Sequence, residues 1–380
     1  MSPATRFAYR GLRRAWNPLH RWLVPRWING GRSPGPTRLL IQLAYKCNLR
    51  CSFCGQWGET GMFKNLPADQ LREMLPLSVL QQVIDDLPWS CDGVFLWGGE
   101  TLEYPDLAPL AGYIRESGRG CALVTNATFL ARQARGLVET GVDVVGVSLD
   151  AGEETHDLLR GKRGTFQAAM EGIRAVKAER EARRSRRPVI CVGVVLLAEA
   201  VEELPDLIRQ VKAEGVDRVF VGRLQFTTER QGTSHESAFQ KLFQIEAPSW
   251  KGFLRQPQPG GAEKIRAVVE KLRADPANRG FIQWETPSWS AQDFFDYYTN
   301  PTSATPADRA CRFPWDAVSI CPNGDVCPCP DYPDFVVGNV KDRSFADIWN
   351  GPRFLQFRKT LVEQGRFPVC TSCCHLYDDH

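Results

Sequence analysis

The sequence predicts an α/β protein in which a partial (β/α)6 barrel of parallel strands is followed by a small cysteine-rich C-terminal domain. Three observations point there. From Arg38 onward, short apolar runs alternate with longer segments of helical period, the pattern of a repeating βα unit rather than a sandwich. Several runs are apolar on both faces, as expected where helices cover one side of a sheet and a barrel interior covers the other. Seven of the 13 cysteines crowd into residues 311–380. At 380 residues the chain also exceeds what one hydrophobic core usually serves, which favours a large unit plus a smaller one.

In chain order, strands are expected at residues 39–45, 93–97, 122–125, 142–149, 189–197 and 218–224, with helical stretches at 68–87, 107–117, 131–140, 165–181 and 201–214. These make six βα units. Residues 228–310 lose the regularity and are rich in Gly, Pro and aromatics, including Trp250, Trp284, Trp289, Phe294, Phe295, Tyr297 and Tyr298. This connector is expected to complete or cap the barrel mouth, or else to fill gaps between domains. The domain plan is therefore a basic arm (1–37), a barrel core (38–227), the connector (228–310) and the cysteine-rich domain (311–380).

The composition, 43% hydrophobic and 24% charged, is that of an ordinary globular protein. No run approaches the roughly 20 apolar residues that span a bilayer, and the N-terminus lacks an uninterrupted apolar signal core. A cytoplasmic location is expected, and in that reducing compartment thirteen cysteines imply metal ligation or catalysis rather than disulfides. A net charge of +3 gives no reason to expect a nucleic-acid partner, but its distribution is uneven: no Asp or Glu precedes Glu59. Arg6, Arg10, Arg13, Arg14, Arg21, Arg26 and Arg32 interleave with Phe7, Trp16, Trp22 and Trp27. Such an arm either packs its tryptophans on the barrel or makes peripheral contact with an anionic membrane.

Directly after the first strand, Cys47, Cys51 and Cys54 form C-x3-C-x2-C in a loop. A structural zinc takes four ligands, usually as two C-x2-C pairs, and no fourth thiol or imidazole lies nearby. Three thiolates suit an iron-sulfur cluster with one iron unligated by protein, and an open position is what a ligand-binding metal site requires. In this loop the chain resembles the radical S-adenosylmethionine (SAM) superfamily, with Phe53 as the aromatic before the third cysteine. The resemblance implies a TIM-type barrel and a 4Fe-4S cluster that chelates SAM. It further implies reductive cleavage of SAM to methionine and a 5′-deoxyadenosyl radical, which abstracts hydrogen from substrate. Gly98-Gly99-Glu100 at the second strand end is similar to the family's G-G-E motif, which implies contact with the SAM amino group. Thr125-Asn126-Ala127-Thr128 resembles T-N-G-T, with Ala127 in place of Gly. Ser148 in Val147-Ser148-Leu149-Asp150 is implied on the ribose side, and Arg160 on the SAM carboxylate. All of these fall at C-terminal strand ends, where barrel active sites are built.

Cys311, Cys321, Cys327, Cys329, Cys370, Cys373 and Cys374 complete the count. A C-x2-C pair with distant cysteines is compatible with a structural zinc knuckle. The order C-x2-P-W, P-x-G-x-V, a closing Cys, V-G-N-V and C-x2-C resembles the SPASM/twitch extension instead. That resemblance implies one auxiliary 4Fe-4S cluster of the twitch type on Cys311, Cys329, Cys370 and Cys373. Period two would point Cys327 and Cys329 to the same face; the family's G-x4-C spacing from Gly324 selects Cys329. Cys321, Cys327 and Cys374 are left as donors for a second or rearranged cluster. Cys91, Cys121 and Cys191, near strand starts, read as small hydrophobes.

The expected function is a radical SAM oxidoreductase or modifying enzyme, reduced by a flavodoxin or ferredoxin-type donor and acting on a peptide or natural product. A small-alcohol or sugar dehydrogenase or epimerase is the alternative within the family. A degenerate barrel that keeps its clusters for electron transfer or binding is the alternative outside catalysis. No motif names the catalytic acid or base.

Overall fold

Six strands pair in chain order, all parallel: β1 (Arg38–Gln42), β2 (Gly93–Trp97), β3 (Gly120–Thr125), β4 (Val144–Ser148), β5 (Val189–Leu196) and β6 (Arg218–Arg223). They are seen in a computed structural model that describes residues 31–256, 259–286, 289–300 and 311–373. Most of the basic arm, with the arginines and tryptophans before residue 31, and Cys374 lie outside the described residues. The helices between the strands are α1 (Leu77–Asp86), α2 (Leu107–Glu116), α3 (Leu130–Glu139), α4 (Glu153–Arg160), α5 (Thr165–Ala182) and α6 (Leu204–Ala213). All but α4 present apolar residues three and four apart to the sheet, such as Leu80, Val83 and Ile84 of α1 or Leu130, Ala134, Leu137 and Val138 of α3. β3, β4 and β5 bury every second side chain fully under these helices, while the intervening ones are half-buried. Val124 and Ser148, from that second face, line the cavity described below. Cys91 and Cys121 are core residues, as expected, and Cys191 is half-buried.

Two local expectations change. Residues 68–87 do not form one helix: a 3-10 turn at Gln70–Arg72 is followed by extended chain, and α1 starts only after Pro76. Proline has no N–H to donate, so it is tolerated at a helix start but not inside one. The segment containing His156 and Arg160 is a helix of its own, α4, closed by Gly161 in the left-handed region at φ 70°.

The connector is more regular than expected. It contains α7 (Glu229–Phe243), α8 (Pro259–Ala274), β7 (Ile282–Trp284) and α9 (Ala291–Thr299). β7 pairs parallel with β6 and so adds a seventh strand. α7 opens on a capping box in which Thr228 accepts from the Gln231 N–H and Gln231 from the Thr228 N–H. The connector aromatics pack on the barrel: Tyr297 Oη donates to Leu224 O, and Tyr298 Oη donates to Leu196 O.

The cysteine-rich segment continues the same sheet. After the short helix α10 (Phe313–Asp316), β8 (Ala317–Ile320) pairs parallel with β1 on the side away from β2. β9 (Asp325–Cys327) and β10 (Gly338–Asn339) then add antiparallel, giving a ten-stranded sheet ordered β10-β9-β8-β1-β2-β3-β4-β5-β6-β7. α11 (Phe345–Trp349) and α12 (Pro352–Gln364) close this end. Buried Arg358 of α12 lies 3.8 Å from the Phe354 ring centroid and 4.2 Å from that of Trp349, and donates to Pro314 O, Trp349 O and Gly31 O. The end of the basic arm is thereby tied to the C-terminal segment. Among the described residues, no helix is long and apolar enough to cross a membrane.

Candidate active site

The first cysteine loop leaves β1 and is fastened on two sides. Ser52 N donates to Leu159 O at the end of α4, 2.9 Å away, and Trp57 Nε1 donates to Tyr45 O at 2.8 Å. On the β2 side, Gly99 N donates to Ala44 O and Glu100 N to Lys46 O. This approach needs glycines: a Cβ on Gly99 would sit 2.0 Å from Lys46 O, and one on Gly98, at φ 147°, would sit 2.7 Å from Ala44 O. The G-G pair therefore seats the cysteine loop by letting two backbones touch. Burial pushes the Cys47 thiol up to about 12 and raises that of Cys51, where Arg160 opposes the rise. Both thiols are therefore protonated at neutral pH.

Cys47, Cys51 and Cys54 share one cavity of about 270 Å³ with Gly98, Gly99, Asn126, Ser148 and Arg160. Eight of the expected first-site residues are thus brought together. Two are not. Glu100 is fully buried away from the cavity, and its carboxylate accepts from Thr125 Oγ1 (2.5 Å), Asn126 N (2.9 Å) and Leu102 N (2.9 Å). Desolvation raises its pKa, opposed by these three donors. Its side chain braces the ends of β2 and β3 rather than facing a ligand; from this motif only the glycines reach the cavity. Phe53 packs with Ala151, Leu159, Leu197 and Ala200, and its ring centroid lies 5.3 Å from the Arg160 guanidinium. It positions Arg160 from outside the cavity.

Arg160 is buried on Asp150, with Nη2 2.5 Å from Oδ2, and its Nη1 is 3.8 Å from Cys51 Sγ. Burial works against its charge, but Asp150 and Cys51 outweigh that and keep it protonated. Its Nε is buried with no hydrogen-bond partner among the described residues, a donor left over on a cavity-lining side chain. Asp150 also accepts from Val195 N, so it is a structural anchor for the arginine. Beneath it, burial followed by the charge of Arg160 lowers His156 to about 4. Asn126 Nδ2 donates to Asn48 Oδ1 at 2.8 Å and lies 3.8 Å from Cys47 Sγ. Ala127, the departure from T-N-G-T, holds the glycine-like conformation at φ 63°.

The second thiol group is built differently. Cys311, Cys329, Cys370 and Cys373 line one cavity, closed by Phe313, Phe357, Leu361, Phe367 and Val369. Burial raises the thiols of Cys329 and Cys370, the latter to about 11. Cys327 takes another direction: its sulfur is 3.8 Å from Cys321 Sγ, and the pair packs beside Tyr45, Trp57 and Phe63. The two positions part because the strand ends at Cys327, so the period of two no longer holds at Cys329. The sequence reading missed His235 of α7, a buried imidazole in the wall of this second cavity that burial lowers to about 4. No motif marks it, because only the packing of α7 against residues 367–373 brings it there.

The two sites touch. Cys329 lines the second cavity, while the next two residues, Pro330 and Asp331, line the first. Asp331 is the one carboxylate among the residues lining that first cavity, and Cys373 Sγ lies 3.8 Å from its Oδ2. A larger cleft of about 780 Å³, lined by residues 59–66 together with Ser249, Lys251, Asn323, Asp334 and Lys341, shares Met62 with the first cavity.

Comparison with known proteins agrees with this geometry. Residues 41–211 match the model of the radical SAM superfamily, and residues 311–374 match that of the SPASM iron-sulfur cluster-binding domain. The Fe-coproporphyrin III synthase of Methanosarcina barkeri is 37% identical over 319 residues, 80% of this chain and 71% of the relative. The chain belongs to the radical SAM superfamily and carries a C-terminal SPASM domain. The PqqA peptide cyclase of a Methylobacterium species is 26% identical to this radical SAM protein over 90% of its length and 79% of the relative's. Streptococcus suis SuiB, solved with its precursor peptide SuiA, has the same fold at TM-score 0.59 and 16% identity, over 89% of this chain and 71% of that one. The expected α/β partial barrel with parallel strands and the expected enzyme class both stand.

Proposed function

We propose that Cys47, Cys51 and Cys54 hold the SAM-binding 4Fe-4S cluster, that Cys311, Cys329, Cys370 and Cys373 hold a single auxiliary 4Fe-4S cluster, and that the enzyme modifies a peptide or a cofactor precursor. The observation that carries this reading is the segment 329–331, which gives a thiol to the second site and two walls to the first. When bound, the reduced first cluster and SAM supply a 5′-deoxyadenosyl radical that abstracts hydrogen from substrate.

The residues present suit these groups. Three thiols lining a cavity leave one coordination position for an exogenous ligand, whereas four thiols in a narrow apolar cavity leave none. Arg160, clamped by Asp150 and Phe53, has an unpartnered Nε for a carboxylate such as that of SAM. Gly98 and Gly99 present bare backbone to the same cavity, which leaves them as the motif's contact for the amino group, and Ser148 is the residue for the ribose side. The aromatic and aliphatic wall of the second site excludes water from a group that exchanges electrons or orients substrate.

Substrate enters by the 780 Å³ cleft, which meets the first cavity at Met62. A cleft of this size, lined by Lys64, Lys251, Lys341, Glu59 and Asp334, suits an extended polar molecule. The names of the relatives, a coproporphyrin synthase and a peptide cyclase, support the same size class. The electron comes from a flavodoxin or ferredoxin-type donor. Anaerobic reconstitution with iron and sulfide, followed by SAM and dithionite, is expected to release 5′-deoxyadenosine and methionine. A loaded first site that yields no 5′-deoxyadenosine would overturn the reading.

A further inference from the structure

We propose that His235 donates a hydrogen bond to the auxiliary cluster and thereby makes that cluster easier to reduce. This rests on the reading that Cys311, Cys329, Cys370 and Cys373 hold an iron-sulfur cluster.

His235 lies on the buried face of α7, 1% exposed, in the wall of the cavity those four thiols line. Both ring nitrogens are buried, and neither has a hydrogen-bond partner among the described residues. Its ring neighbours are Phe239 at 4.1 Å, Tyr332 at 5.9 Å and Phe367 at 6.0 Å between centroids. Neither phenylalanine offers an acceptor. The Tyr332 hydroxyl is engaged with Thr227 Oγ1 at 2.9 Å and Gln225 Nε2 at 3.3 Å. The position is one that a phenylalanine would fill, since α7 already places Phe239 and Phe243 in the same aromatic cluster. A neutral imidazole there brings one N–H donor and one lone pair into an apolar wall. A buried donor without an acceptor is costly, and such groups in native proteins generally point to a partner. The thiolates and sulfides of a bound cluster are acceptors, and they occupy the cavity that His235 lines. The structure thus contains a donor with no acceptor and a site whose occupant is made of acceptors.

The functional consequence follows from charge. Reduction adds negative charge to the cluster, and an N–H directed at a cluster sulfur stabilises the reduced form, as hydrogen bonds to cluster sulfurs generally do. His235 is a positioning and tuning residue in this role, because it touches the cluster and not the substrate.

The test is a redox titration of fully reconstituted enzyme followed by EPR, with the auxiliary signal identified as the one that does not respond to SAM. In His235→Phe the reduced-to-oxidised ratio at fixed potential is expected to fall at least tenfold, ~59 mV in midpoint for one electron. His235→Gln, which restores an N–H, should recover part of the loss. Iron content should be unchanged in both. An unaltered midpoint in iron-replete His235→Phe would overturn the proposal. Should that variant lose its cluster, ENDOR of wild-type enzyme labelled with 15N-histidine provides the readout: coupling of the reduced auxiliary cluster to a histidine nitrogen is expected, and its absence would overturn the proposal equally. If Cys370→Ala/Cys373→Ala enzyme keeps all its iron, the cluster assignment fails instead.

Discussion

Two thiol sites meet along residues 329–331, and they are built in opposite ways. The first gathers three cysteines from a loop stitched to two strands and a helix, beside an arginine with a spare donor among the described residues, and it shares Met62 with a wide neighbouring cleft. The second gathers four cysteines under aromatic and aliphatic side chains, and its buried imidazole has no hydrogen-bond partner among the described residues. Thirteen cysteines alone do not separate these sites by purpose. Their linings do: a wider cavity with Asn126, Ser148, Arg160 and Asp331 in its walls suits a ligand that must arrive and leave, and a narrower, more enclosed apolar one suits a group that stays.

The largest effect is expected from removing the backbone contact that seats the first site. Gly99→Ala places a Cβ 2.0 Å from Lys46 O, so the cysteine loop must move. We expect a loss of about 3 kcal/mol in stability together with loss of first-site iron, while the auxiliary cluster survives. Iron and sulfide analysis alongside urea unfolding checks both, and full iron retention would show that the glycine pair does not position the loop.

An effect on stability alone, with no expected loss of iron, comes from His156, buried beneath Arg160. His156 titrates near 6.5 when unfolded and is lowered to about 4 in the fold, first by burial and then by Arg160. The unfolded chain therefore binds a proton before the folded one does. Its stabilising contribution is complete above pH 6.5 and is lost as pH falls toward 4, about 3 kcal/mol over that window. Urea unfolding of the cluster-free protein at pH 7, 6 and 5 should show this slope. His156→Gln should flatten it by one proton; an identical slope would place the titration elsewhere.

Ala127 sharpens the comparison at the smallest scale. A non-glycine residue at φ 63° carries strain of about 1 kcal/mol. Ala127→Gly should recover up to that amount in unfolding experiments without altering iron content. A destabilised variant would mean that the methyl group's packing outweighs the strain.

The parts of this molecule that were legible in the sequence were those with a local rule. The six parallel strands follow from apolar runs spaced by helices, and the first cysteine loop from its spacing at a strand end. What escaped depends on contacts between distant segments. Glu100 sits in a ligand-binding motif, yet its carboxylate turns inward because Thr125 and the backbone of residues 102 and 126 offer it three donors. α7, α8, β7 and α9 were hidden in a Gly- and Pro-rich composition, although the Thr228–Gln231 capping box was readable as a helix start. The pairing of β8 with β1 joins strands nearly 280 residues apart, which no periodicity reports. His235 is a single polar residue on an otherwise ordinary helix, and only packing gives it meaning.

The division of labour between the sites is tested most directly by EPR of dithionite-reduced enzyme with and without SAM. Wild-type enzyme is compared with a Cys47→Ala/Cys51→Ala/Cys54→Ala variant. Two reduced-cluster signals are expected in the wild type, only one of them shifted by SAM. The triple variant should keep the other signal, unmoved by SAM, and release no 5′-deoxyadenosine. A surviving signal that shifts with SAM, or no surviving signal at all in a folded variant, would contradict the account.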